Sequence, residues 1–272
     1  MQSSKPPKKT SLRKAAGVDP STIVGSVGKA FRVLEVFDQS RHRLTLTQIA
    51  HEADMDLSSA QRFVNTLVHL RYLQKDPASR LYSLTCRVLE LGHHYVQSDE
   101  LIVRATPHLQ QLSLATEETV NLSVLDEDDV VIVARLVSRH VLRPEITPGA
   151  RLPAFLTSSG HALLSGLSEE ELRERLIASR VSRTVSADSV LAQCCVIREK
   201  GYSCISDGYF PNDITLAAPI FDANGEPHAA LSISVSKLRW TPERAEAELA
   251  PRLLDAARPI SLVSPFWAMQ SR

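Results

Sequence analysis

The densest cluster of side chains able to read nucleic-acid bases lies in the run Ser58-Ser59-Ala60-Gln61-Arg62-Phe63-Val64-Asn65. Glutamine can pair with adenine and arginine with guanine through two hydrogen bonds each, while serine reaches a base edge or the backbone. On a helix, Ala60, Phe63, Val64, Leu67 and Leu70 recur three and four apart and form one buried stripe. That stripe leaves Ser58, Ser59, Gln61, Arg62 and Asn65 on or near the wet face. Thr45 and Thr47 in the segment before, and Lys75 and Arg80 in the segment after, complete a candidate DNA-contacting set. The alternative is a helical hairpin with a strand pair used for protein contacts. It fits less well, because stripe, hairpin and local basicity agree on the first reading.

Other groupings promise chemistry and do not deliver it. Ser158-Ser159-Gly160-His161 places hydroxyls beside an imidazole, but there is no G-x-S-x-G elbow and no H-E-x-x-H. A hydrolase using Ser158 and His161 would also need an orienting acid within reach, and none is evident. His93-His94 diverge by about 100 degrees on a helix, a poor chelate for a metal. The acidic run Asp126-Glu127-Asp128-Asp129 lacks the glycine and distal glutamate of a calcium loop and reads as a hairpin tip. The four cysteines (Cys86, Cys194, Cys195, Cys204) form no C-x-x-C pair and read as reduced thiols. The expectation is a protein that is not an enzyme, with no metal and no cofactor.

The elements needed to hold the base-reading set can be traced along the chain. A helix runs from Val27, with Ala30, Phe31, Val33, Leu34 and Phe37 at helical spacing. Thr45 caps a short second helix with Leu46, Ile49 and Ala50 inward, Asp54–Leu57 make a tight turn, and Ser58 caps a helix over 59–70. Strands at 72–75 and 81–84 flank the turn Asp76-Pro77-Ala78-Ser79-Arg80. Helix, helix, helix, hairpin is a winged helix-turn-helix, with 59–70 the recognition helix and Arg80 at the wing tip. A linker helix near 88–97 follows, then a helix over 101–115 carrying Val103, Leu109 and Leu112. From Thr119 the period becomes two. Strands are expected at 120–124, 130–134, 202–206, 215–221 and 228–236, and helices at 157–166, 168–178, 187–200 and 242–260. This pattern predicts an α+β fold rather than a doubly wound sheet.

Charge is distributed as this organisation requires. The chain of 272 residues has no net charge, yet residues 1–85 carry 13 Lys or Arg against 7 Asp or Glu, and the remainder 18 against 24. One basic end on an acidic body suits contact with a polyanion. Residues 1–22 read as a disordered basic tail without the apolar region of a secretory signal. No apolar run approaches the roughly 18 residues of a membrane span, and a cytoplasmic protein is expected. The boundaries implied are 23–85 for the winged helix, 86–100 for the linker helix, 101–265 for the second domain and 266–272 for a C-terminal tail.

The order of motifs resembles the IclR family of bacterial transcriptional regulators over roughly residues 25–262. It is carried by SVGKAFRVLEVF (26–37), LTLTQIAHEADMDLSSAQRFVNTLVHLRYLQKD (44–76), PGARLPAFLTSSGHALL (148–164), GYSCISDG (201–208) and LAAPIFDANGEPHAALSISV (216–235). The resemblance implies a GAF-like α/β effector-binding domain, a homodimer or dimer of dimers on double-stranded operator DNA, and a small carboxylate effector. Carried over by position, the effector residues would be Ser158, Ser159, Ile205, Ser206, Asp207, Thr215, Ser232 and Ser234. Ser232 and Ser234 share one face of a strand, and Ser158 and Ser159 start a helix whose free N–H groups favour an anion. Two departures matter: Ile205-Ser206-Asp207-Gly208 stands where the family often has Asp-Glu-Glu, and Asp213-Ile214 where it often has Gly-Leu. RLPAFLTSSG is most similar to the regulators of protocatechuate and 4-hydroxybenzoate catabolism, implying an aromatic acid. The alternative for this half is a ligand-free dimerisation module.

Overall fold

A computed structural model describes residues 19–139 and 146–263. The greater part of the basic tail (1–18) and the C-terminal tail (266–272) lie outside the described residues. The chain divides into two compact units between His94 and Tyr95.

The first unit contains α1 (Gly25–Glu35), α2 (Leu46–Glu52), α3 (Leu57–His69), β1 (Leu73–Lys75) and β2 (Tyr82–Leu84). Thr45 caps α2 in a capping box: its hydroxyl accepts the Gln48 N–H, and Gln48 Oε1 accepts the Thr45 N–H. One core joins α1, α2, α3 and the hairpin through Val33, Ile49, Val64, Leu67, Leu73 and Tyr82. Leu44 adds a third partner to the hairpin, exchanging backbone hydrogen bonds with Tyr82 at 3.0 and 2.8 Å.

Two local expectations change here. The cap of α3 is Asp56, whose carboxylate accepts the Ser59 N–H at 2.8 Å, and not Ser58, which lies inside the helix. A carboxylate at that position satisfies the free donors and also faces the positive end of the helix dipole. Leu70 is exposed, because α3 ends at His69 and the stripe closes at Leu67.

α4 (Val88–Ser98) spans the boundary between the units. The second unit holds α5 (Glu100–Thr116), β3 (Thr119–Asp126), β4 (Asp129–Leu136), β5 (Arg151–Pro153), α6 (Ser158–Leu164), α7 (Glu169–Ala178), α8 (Ala187–Lys200), β6 (Ser203–Ser206), β7 (Asp213–Phe221), β8 (Pro227–Ser236) and α9 (Pro242–Ala257). The six strands form one antiparallel sheet in the order β5-β4-β3-β8-β7-β6, so the fold is α+β. Helices α5 and α9 cover one face over a core that includes Val120, Leu122, Leu216, Leu231 and Ile233. Helix α6, backed by α8, covers part of the other.

Three features depart from the sequence expectation. Val103 is exposed, and α5 buries Leu101, Ile102 and Ala105 beside the expected Leu109 and Leu112. Strand β5 is too short for a periodic pattern to announce it. In β4, Leu122 faces Ala134 but Ser123 faces Ile132, which leaves Val133 as an extra residue in a β-bulge.

Candidate functional site

Period two puts Thr119, Asn121 and Ser123 on the sheet face opposite α5 and α9, together with Ser232 and Ser234 of β8 and Thr215 of β7. These hydroxyls and amides form the polar floor of a cavity. Val130, Ile132, Ile146, Leu152, Leu156 and Ile205 supply apolar wall. Tyr209 and Phe210 add an aromatic side, packed edge to face with centroids 4.8 Å apart.

The bulge decides what else reaches the floor. Val130 and Ile132 point into the cavity, so unbroken alternation would send Ala134 and Leu136 there and turn Arg135 towards α5. With Val133 inserted, Ala134 and Leu136 pack against the α5–α9 core and Arg135 lines the cavity. Its Nη1 donates to Asn121 Oδ1 at 2.7 Å, and Asn121 Nδ2 donates to Ser232 Oγ at 3.4 Å. On the β7 side, Thr215 Oγ1 donates to Asp213 Oδ2 at 3.0 Å and lies 3.1 Å from Ser234 Oγ. Ser158 Oγ donates to the Thr215 carbonyl at 2.5 Å.

Of the eight effector residues expected from sequence, Ser158, Ser159, Ile205, Thr215, Ser232 and Ser234 line this cavity. Ser206 and Asp207 do not: Asp207 is exposed and ion-paired with Lys237, which holds its carboxyl below the usual range. The start of α6 also differs from the anion cradle expected of it. The helix has seven residues, Thr157 Oγ1 takes the Gly160 N–H, and the Ser158 hydroxyl hydrogen is committed to Thr215. Gly160 is needed there, since a Cβ would lie 1.9 Å from the Ala154 carbonyl oxygen.

His161 is buried with Nε2 against the Phe155 carbonyl at 3.0 Å, and burial pushes its pKa down. It therefore braces the turn before α6, while Ser158 is bonded elsewhere. Among the described residues no group of three or more His, Cys, Asp or Glu is placed to hold a metal ion.

Arg135, Asn121, Thr119, Tyr209 and Phe210 were not singled out from sequence, and Asp213 only as a departure from the family pattern. The alternation Thr119-Val120-Asn121-Leu122-Ser123 carried a readable signal for the floor. So did a lone arginine in the apolar run Val130–Leu136. Only the bulge says which way that arginine points.

In the first unit, Ser58, Gln61, Arg62 and Asn65 are exposed along α3, and Ser59 is half-buried. Thr45 and Thr47 are exposed at the start of α2. Ser58 Oγ donates to Asp56 Oδ1 at 2.7 Å, which leaves its oxygen as an acceptor. Lys75 and Arg80 are exposed on the hairpin, Lys75 Nζ lying 5.3 Å from the Tyr82 ring centroid. Arg80 takes a left-handed φ of 60° in a turn where Asp76 Oδ1 accepts the Ala78 and Ser79 N–H groups.

Residues 26–77 match the IclR helix-turn-helix domain, and residues 93–262 match the bacterial transcriptional regulator IclR C-terminal domain. The chain belongs to the IclR family. It is a transcriptional regulator with a DNA-binding helix-turn-helix unit and a C-terminal domain of the effector-binding type. Among IclR-family relatives, the Pca regulon regulatory protein of Pseudomonas putida is 33% identical over 88% of this chain and 84% of its own. The transcriptional regulator KdgR of Escherichia coli is 32% identical over 88% and 92%. A transcriptional regulator of Rhodococcus sp. RHA1 has a crystal structure with a TM-score of 0.75 at 36% identity, covering 88% of this chain and 97% of that one. An IclR homologue of Microbacterium hydrocarbonoxydans, solved with 4-hydroxybenzoate, shares the fold with a TM-score of 0.70 at 24% identity, covering 87% and 97%. No helix among the described residues is long and apolar enough to cross a membrane.

Proposed function

We propose that this IclR-family chain controls a catabolic operon in response to an aromatic carboxylate bound in the C-terminal cavity. The observation that carries the reading is Arg135, a cation brought to a polar floor whose other walls are aliphatic and aromatic. Guanidinium pairs with carboxylate through charge-assisted hydrogen bonds, and Tyr209 and Phe210 offer an aromatic ring apolar contact. The names of relatives support the same class: one governs a Pca regulon, and a more distant one was solved with 4-hydroxybenzoate. Titration calorimetry against benzoates and aliphatic keto acids tests it; binding of the aliphatic acids alone would sink it.

The operator partner is read by Gln61, Arg62 and Asn65 from α3, with Thr45, Thr47, Ser58, Ser59, Lys75 and Arg80 at the flanks. The working form is a homodimer or dimer of dimers, whose two-fold related recognition helices would meet half-sites about 34 Å apart. The effector acts by binding two arrangements of that assembly unequally. Affinity for the DNA upstream of its own gene should fall steeply with salt, and Arg80→Ala should reduce the salt slope by about one.

A further inference from the structure

We infer that Asp207, which does not line the cavity, is a positioning residue for the effector. Paired with Lys237, it clasps the root of the loop between β6 and β7. The clasp holds Tyr209 and Phe210 across the cavity mouth and slows the release of a bound aromatic acid. This rests on the aromatic-carboxylate reading and adds a control on the same site.

β6 ends at Ser206 and β7 begins at Asp213, so Asp207 and Asn212 are the two ends of the loop. Both have a left-handed φ, 54° and 61°, which Asp and Asn accept more readily than other residues with a Cβ. One carboxylate ties these ends together. Asp207 Oδ1 accepts the Asn212 N–H at 2.7 Å, and Oδ2 pairs with Lys237 Nζ. Backbone bonds close the same root: the Asp207 N–H donates to the Asp213 carbonyl at 2.9 Å, and the Lys237 N–H to the Asn212 carbonyl at 3.1 Å.

From that root the loop lies on the cavity wall. A Cβ at Gly208 would be 2.7 Å from the Leu156 carbonyl oxygen and 3.0 Å from Ile205 Cγ2, and Leu156 and Ile205 both line the cavity. Tyr209 also lines it while 44% exposed, so one side of the residue meets the cavity and the other meets solvent. That is the position of a mouth. Asp207 and Lys237 are each more than a third exposed, and an ion pair so placed is weak and screened by salt. It biases the loop towards closure and still lets it open.

Asp207→Asn isolates the ion pair, because the amide keeps an acceptor for the Asn212 N–H and accepts the left-handed φ. Stopped-flow displacement of 4-hydroxybenzoate from the full chain measures release. The expected rate in Asp207→Asn is up to about fivefold faster than in the native chain at low salt, with the difference lost near about 0.5 M salt. Lys237→Gln should give the same rise, and the double variant no more than either single change. Hydrogen exchange on the ligand-free chain should quicken at residues 208–212 and stay unchanged in β7 and β8. Native-like release in Asp207→Asn overturns the inference, as does full additivity of the two changes. If neither benzoate nor 4-hydroxybenzoate binds the native chain, the aromatic reading falls. The clasp is then judged by exchange alone, and equal loop exchange in the native chain and Asp207→Asn overturns it.

Discussion

Arg135 and Asn121 stand opposite each other on β4 and β3, and the guanidinium Nη1 donates to the amide Oδ1 at 2.7 Å. The pair exists on this face of the sheet only because Val133 is inserted two residues earlier. Removing the charge while keeping a hydrogen-bonding group isolates its contribution to ligand binding. Arg135→Gln should weaken aromatic-acid binding by about 10- to 100-fold, the range for hydrogen bonds to charged groups. Calorimetry measures this, and an unchanged circular dichroism spectrum should accompany it.

Gly160 sits where α6 crosses the turn Ala154–Leu156, with no room for a side chain. The obstructing atoms are backbone, which cannot rotate away. Gly160→Ala should destabilise the C-terminal unit by about 3 kcal/mol or more, the severe end of overpacking. Denaturant unfolding would show a lower midpoint with an unchanged slope.

The capping role distinguishes Asp56 from its neighbour. Asp56→Ala should lower the thermal midpoint of the helix-turn-helix unit, because the Ser59 N–H loses its acceptor. Ser58→Ala should leave it unchanged. An equal effect of the two changes in a thermal melt would refute this assignment.

Burial holds His161 neutral, with a pKa below the ordinary value of 6.5. The unfolded chain then takes up this proton more readily than the folded one, so stability is full above about pH 6.5 and declines as the pH falls towards the lowered folded value. His161→Gln removes the titration. Its melting temperature should depend less on pH between 7 and 5 than that of the native chain.

The contrast between the two units shows what a one-dimensional pattern can carry. In the first, positions three and four apart sort Ala60, Val64 and Leu67 from Gln61, Arg62 and Asn65 before any contact is known. The Thr45 cap is equally local. Where the pattern failed, a competing local choice won: Asp56 lay close enough to the start of α3 to take the cap from Ser58. In the second unit, Ser158, Ser159, Ile205, Thr215, Ser232 and Ser234 were named through family resemblance, since a serine alone does not announce a cavity. Asp207 was named the same way, and its side chain went to Lys237 on a neighbouring loop.

By itself, the sequence determined the two-part organisation, the recognition helix and its exposed face, and the polar face of β3. Each depends on periodicity or charge that neighbouring residues reveal. Tertiary structure alone decided the direction of Arg135, the partners of the Ser158 and Thr215 hydroxyls and the place of Asp213 in the cavity wall. A bulge reverses every side chain beyond it, and a hydroxyl becomes donor or acceptor only when its partner from another strand is known.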